Sequence, residues 1–295
     1  MMRSEGLPVF VTQRNRADLM GMYDEALLAW PVPSETMFVA TRFGRTHVIA
    51  SGAQSSPPLV LVAPMGASSI VWSSIVAELS VRRRVYALDT VGDIGRSELT
   101  DPGRYPKTGR AYSAWLDDAF TGLGIPEADL LSASMGARIA RHHAIHAPDR
   151  VRRLVLLAPM GLPSWWATTA ALAPMLSYGV RPTETKLERV ISRSLGDGER
   201  ANRELRPWMR IVGTCKPRLG PPLRIPSRRL REIEAPTLVL LGRRDQVIGD
   251  AASAAKRATR NIPNCEVEIL PLAGHAIVLD DPHFVGATAA TFLDR

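Results

Sequence analysis

Apolar residues fall into two successive rhythms along this chain. Residues 17–30 place Leu19, Met22, Tyr23, Ala26, Leu27 and Trp30 at helical spacing, and Pro31 ends the run, which predicts a helix. ETMFVAT and RTHVIAS follow, separated by Arg42, Phe43 and Gly44, and predict an antiparallel hairpin that opens a sheet. From residue 59 continuous apolar runs alternate with helical patterns. LVLVA precedes a helix over 68–79, RVYALD a helix over 112–122, and DLLSA a helix over 135–147, before RLVLLA. Apolar strands spaced by helices are what a parallel sheet buried on both faces requires. The fold class is therefore α/β, a mostly parallel sheet flanked by helices.

After Leu162 the rhythm breaks into a Trp-, Pro- and Arg-rich stretch that lasts to Glu234. PTLVLLG, a helix over 251–259, CEVEIL and a helix over 282–293 then restore it. An insertion of that length between strands of one sheet predicts a helical cap over the strand ends. The expected organisation is residues 1–161 as the first part of the core, 162–234 as the cap and 235–295 as the second part of the core.

Length and composition fit that single large domain with an insertion: 295 residues, 45% hydrophobic and 22% charged. Two cysteines, Cys215 and Cys265, exclude a disulfide framework and a cysteine-based zinc site. No apolar run approaches the roughly 18 residues of a membrane span, and MMRSEGLPVFVTQRNR has neither an h-region nor a cleavage site, so a soluble, cytoplasmic protein is expected. The net charge of +8 raises the question of nucleic acid. Nearly all the basic residues are Arg, aromatics do not interleave with them, and no recognition spacing occurs, so neither nucleic acid nor membrane is an expected partner.

The chemistry is concentrated in DLLSASMGARIARHHA, where a strand runs straight into a helix with Ser132, Ser134 and Gly136 at alternate positions. A tight strand-to-helix turn needs small residues on either side of a nucleophile whose hydroxyl projects from the helix start, and Ser134 is that nucleophile. A hydroxyl attacks poorly unless a base takes its proton. PLAGHAIVLDDP offers His275 after a strand, and PTLVLLGRRDQVIG offers Asp245 after the preceding one. The order Ser, Asp, His fits successive strand ends of this sheet type. Asp250 and Asp280 or Asp281 are fallback acids, better read as a helix cap and loop charges. Charge developing on a substrate carbonyl needs two backbone N–H donors, expected from Met135 after the nucleophile and Met65 in the loop after the first buried strand. Met160, Trp165, Trp166 and Met175 are candidates for an apolar pocket. His142 and His146 have the spacing of a metal pair, but no Glu completes a motif and packing suffices, so no metal is expected.

With these residues in view, the chain resembles an α/β-hydrolase over residues 35–162 and 235–295. MYDEALLAWPVP, TRFGRTHVIASG and ALDTVGDIGRSE resemble bacterial carboxylesterase-like members, in which the VGDIGRS turn is mainly structural. The chain departs from the family pattern where Ala63-Pro64 replaces His-Gly, Pro64 having no N–H, and where Ser132 replaces Gly. The resemblance implies a cofactor-independent serine hydrolase that cleaves a carboxylic ester through an acyl-enzyme on Ser134. Two alternatives are a thioesterase or cyclising acyltransferase on a carrier- or CoA-bound intermediate, and a non-catalytic ligand-binding protein of the same fold. The first draws on basic residues of the insertion, among them Arg189, Arg193, Arg200, Arg203, Arg206, Arg210, Lys216, Arg218, Arg224, Arg228 and Arg229, which would steer an anionic substrate or acidic carrier protein. A solvated surface accounts for them equally well.

Overall fold

The computed structural model describes residue 9 and residues 12–162, 173–174, 177–194, 199–213, 215–221 and 224–295, without the side chains of 199–202 and 204. Its strands are β1 (Ser34–Thr41), β2 (Gly44–Ser51), β3 (Pro58–Val62), β4 (Arg84–Leu88), β5 (Glu98–Leu99), β6 (Ala128–Ala133), β7 (Val151–Leu157), β8 (Thr237–Gly242) and β9 (Cys265–Leu270). They form one sheet in the order β1-β2-β4-β3-β6-β7-β8-β9, with β5 beside β2. From β4 to β9 every pairing is parallel; the β1–β2 hairpin is antiparallel, as its sequence predicts, and β2 also runs antiparallel to β4. β6 and β8 are buried at every residue, whereas β9 at the edge alternates, with Glu266 and Glu268 on its exposed face.

The helices are α1 (Gln13–Leu28), α2 (Val76–Leu79), α3 (Gly109–Gly122), α4 (Ser134–His146), α5 (Glu184–Ser194), α6 (Glu199–Val212), α7 (Ser227–Leu230), α8 (Ala251–Asn261), α9 (Ile277–Asp280) and α10 (Pro282–Leu293). One apolar layer joins the sheet to α3, α4 and α8 through Trp115, Phe120, Ile139 and Ala254; a second joins it to α1, α2 and α10 through Tyr23, Trp72, Leu79 and Phe292. Each aliphatic or aromatic side chain so buried contributes about 1.5–3 kcal/mol of transfer free energy. Among the described residues, no helix is long and apolar enough to cross a membrane.

Helix starts follow side-chain caps: Thr12 accepts from the Asn15 N–H (3.1 Å) and Thr108 from the Ala111 N–H (3.2 Å). These caps move α1 and α3 several residues ahead of the apolar periodicity that signals them. The helix expected over 68–79 is instead a 3₁₀ turn, Ser69–Ser74, followed by the short α2. Ser69 is the reason: its N–H and its hydroxyl both donate to Asp89 at 2.7 Å, which fastens the start of the segment to the end of β4.

Behind the sheet, α4 packs on α3 through histidines that burial keeps neutral. His143 is fully buried, edge-on to Phe120 at 5.2 Å, with Nδ1 3.2 Å from both the hydroxyl and the carbonyl oxygen of Ser113. Burial pushes its pKa down to about 4. His142 is pushed down to about 3 by burial and then by Arg138 and Arg141, and its stacking on His146 at 6.1 Å is a packing contact. An unfolded chain takes up a proton at His143 below about pH 6.5 and the folded chain does not, so stability present above that pH is lost as pH falls towards 4. The predicted loss from this residue across that window is up to about 3 kcal/mol. Urea unfolding of His143→Gln and the wild type at pH 7.5 and 4.5 checks it: the wild type's advantage shrinks at the lower pH, and an unchanged difference contradicts the assignment.

Candidate active site

The C-terminal ends of β3, β6, β8 and β9 converge on one cleft. At the end of β6 the chain turns into α4 within one residue: Ala133 is extended and Ser134 has φ 51°, in the left-handed region. The turn closes only because Gly136 lacks a side chain, since a Cβ there would lie 2.2 Å from the Val62 carbonyl oxygen and 2.6 Å from that of Ala63. Ser134 is thereby lifted onto the N-terminus of α4 and is 4% exposed. Ser132 extends its hydroxyl towards the Val155 carbonyl at 3.4 Å.

Asp245 and His275 meet because the loops after β8 and β9 are fastened together. The Arg243 N–H donates to the Leu270 carbonyl (2.9 Å) and the Arg244 N–H to that of Ala273 (3.0 Å). Gly242 permits this approach, for a Cβ would lie 2.3 Å from the Gly274 carbonyl oxygen. His275 Nδ1 is 2.8 Å from Asp245 Oδ2, and its Nε2 is 2.8 Å from Ser134 Oγ. The other oxygen of the buried Asp245 accepts N–H groups from Val247 (2.7 Å) and Ile248 (2.9 Å). A carboxylate held this way accepts a hydrogen bond from the Nδ1–H and leaves Nε2 free to take the Ser134 proton. The three residues predicted from separate segments are thus one hydrogen-bonded chain.

The fallback acids have other partners. Asp250 and Asp281 cap α8 and α10 by accepting from Ser253 (2.8 Å) and Phe284 (3.2 Å) N–H groups. Asp280 accepts the Gly274 N–H at 2.7 Å, which steadies the loop of His275.

Met135 follows Ser134 in the chain, and Met65 lines the same cleft as Ser134. Met135 is the second residue of α4, where an N–H has no intrahelical acceptor. Met65 and Met160 line the cleft, together with Val71 and, from the insertion, Leu205, Trp208 and Met209. The cleft encloses about 820 Å³ counted out to its open mouth. Trp165, Trp166 and Met175 lie outside the described residues. None of these α6 side chains is among the candidates read from the sequence, although the helical spacing of Leu205, Trp208, Met209 and Val212 marks an apolar face.

The basic charge of the insertion is partly paired within it. Arg206 bridges Glu184 (3.0 Å) and Glu188 (2.6 Å), Arg210 also pairs with Glu184 (2.8 Å), and Arg229 pairs with Glu232. Arg206, Arg210 and Arg229 are therefore poorer candidates for steering an acidic partner than a count of basic residues suggests.

Comparisons with known proteins agree with this arrangement. The model of the Alpha/beta hydrolase family matches residues 59–288, and the chain belongs to that family. Carboxylesterase YbfK of Bacillus subtilis (strain 168) is 30% identical over 276 residues, 92% of each chain. Uncharacterized carboxylesterase nap of the same strain is 31% identical over 283 residues, 92% of this chain and 91% of the relative. The crystal structure of naproxen esterase (carboxylesterase NP) from Bacillus subtilis superposes with a TM-score of 0.84 at 28% identity, over 96% of this chain and 99% of that one. Within its family the chain is carboxylesterase-like.

The contact at Gly136 yields a prediction. Gly136→Ala forces α4 away from β3 and Ser134 away from His275, and displacements of about 1 Å cost about 10²-fold in turnover. Ester hydrolysis by the folded variant, with helicity checked by circular dichroism, tests this; wild-type turnover would contradict it.

Proposed function

We propose that this chain is a carboxylesterase-like serine hydrolase, with Ser134 as nucleophile, His275 as general base and then general acid, and Asp245 holding the imidazole. The observation that carries the reading is His275 bridging Ser134 and Asp245 at 2.8 Å on each side, beside an apolar cleft.

In the reaction, Ser134 Oγ bonds to the ester carbonyl carbon as its proton passes to His275 Nε2. The carbonyl oxygen takes the negative charge and is met by the Met65 and Met135 N–H groups, each such donor being worth about 2.7–4 kcal/mol of barrier. His275 returns the proton to the alcohol oxygen as the C–O bond breaks, and the alcohol leaves. Water then gives His275 a proton and its oxygen to the acyl carbon; collapse frees the acid and restores the Ser134 hydroxyl. Asp245 stabilises the imidazolium in both halves.

The apolar lining supports an uncharged, small or medium acyl group as substrate, since burying methylene groups supplies the binding energy and no charged side chain lines the described cleft to receive an anion. The names of the carboxylesterase relatives support the same class. The described residues of the 162–234 insertion cap this site: Leu205, Trp208 and Met209 reach the cleft, and the Ala276 N–H donates to the Ser194 carbonyl at 2.8 Å.

Ser134→Ala and His275→Ala are predicted to lose on the order of 10⁴-fold or more in kcat on p-nitrophenyl esters, with Asp245→Asn close behind. Labelling by a fluorophosphonate, read by peptide mapping, is expected on Ser134 and lost in the first two variants. A folded wild type that neither hydrolyses esters nor labels contradicts the proposal.

A further inference from the structure

The loop that presents Met65 has few side-chain anchors of its own. It runs Ala63, Pro64, Met65, Gly66, Ala67, with one internal bond from the Ala67 N–H to the Pro64 carbonyl at 3.1 Å. Gly66 has φ 75°, and both of its backbone groups are taken by buried side chains from distant segments. Its N–H donates to the Asp93 carboxylate, 3.1 Å from Oδ2 and 3.3 Å from Oδ1, and the Ile94 N–H donates to Oδ1 at 2.8 Å. Its carbonyl accepts the Trp208 indole N–H from α6 at 2.8 Å. Asp93 is 2% exposed and does not line the cleft.

We propose that Asp93 and Trp208 are positioning residues for the reaction, clamping Gly66 from opposite sides so that the preceding N–H, that of Met65, stays aimed at the developing oxyanion beside Ser134. This rests on the hydrolase reading above, and on Met65 as a donor in particular. The clamp restrains from outside the one glycine of this loop, Gly66, whose backbone has no side chain of its own to fix it, and an oxyanion donor acts best when preorganised.

The charge state of Asp93 supports the assignment. Burial pushes its carboxyl up to about 7, against the opposing pull of the Ile94 and Gly66 N–H groups, and the charge of Asp89 adds to the rise. Among the described residues, the other titratable groups around it include Tyr112 of α3, with Arg138 of α4 acting on Tyr112, Arg96 on the same turn, and Arg218, whose backbone N–H donates to the Gly92 carbonyl at 2.7 Å. A folded acid raised in this way retains a proton that the unfolded chain has released, so stability declines as pH rises from about 4 to 7 and stays lower above. The ionised form therefore weakens the fold while giving Gly66 its acceptor. Protonation turns one of the two oxygens from acceptor to donor and loosens the clamp. Turnover then declines as Asp93 takes up its proton.

Steady-state hydrolysis of a p-nitrophenyl ester between pH 5.5 and 8.5, by the wild type, Asp93→Asn, Trp208→Phe and Ser134→Ala, tests this. At pH 8, kcat is expected to fall at least tenfold in Asp93→Asn and Trp208→Phe, with KM of Asp93→Asn within threefold of wild type. The acid limb of log kcat is expected to be steeper in the wild type than in Asp93→Asn, which lacks the carboxyl. In thermal unfolding, the Tm of Asp93→Asn gains on wild type from pH 5.5 to 8, a shift that an uncharged structural contact at position 93 does not produce. The proposal is overturned if the wild type turns over well above Ser134→Ala while both clamp variants keep kcat within threefold. Should Asp93→Asn not fold, Trp208→Phe decides by the same threshold. A wild type no faster than Ser134→Ala removes the hydrolase reading itself, and the proposal with it.

Discussion

Holding Ser134 at φ 51° costs on the order of 1–3 kcal/mol for a residue with a Cβ, and the geometry of the site follows from how the surroundings enforce that turn. β6 is buried at every residue and enters the turn as a fixed rod. Gly136 lets the first turn of α4 lie against the carbonyl oxygens of Val62 and Ala63, at the end of the neighbouring strand. The Ser134 carbonyl accepts the Met160 N–H at 3.2 Å, from the loop after β7. Three strand ends therefore define the position of one hydroxyl, and His275 needs only to be delivered to it by the bonds between the loops after β8 and β9.

A second set of constraints acts through two acids on one turn. Asp89 is fully buried and accepts from the Ser69 N–H and hydroxyl, the Tyr23 hydroxyl (3.2 Å) and the Arg96 N–H (2.8 Å). It joins α1, the segment after β3 and the turn after β4 in a single network. Asp93, four residues on, reaches the glycine two residues after Pro64. The loop that begins at Ala63-Pro64 is thus held at Gly66 by Asp93 and at Ser69 by Asp89.

Much of this was legible in the sequence because it depends on local pattern. Apolar runs of four to six residues between helices fix a parallel sheet, and the small residues around Ser134 betray the tight turn. Asp245 and His275 were legible through their places after strands. The clamp was not: a lone Asp in VGDIGRS carries no sign of facing Gly66, because that contact depends on how two loops stack. Nor does the pattern show Ser69 anchored to Asp89, so a continuous helix was expected where a 3₁₀ turn stands. The Arg206 and Arg210 pairs with Glu184 likewise depend on α5 and α6 lying together, which a count of basic residues does not convey.

On the proposed mechanism, ester cleavage passes through a covalent acyl group on Ser134. Rapid-quench mass spectrometry of the wild type with excess p-nitrophenyl ester tests it most directly. A burst of p-nitrophenol is expected, with a matching acyl mass increment on the peptide containing Ser134 that decays at the steady-state rate. Ester turnover with no adduct, or with the acyl group on another residue, would contradict it.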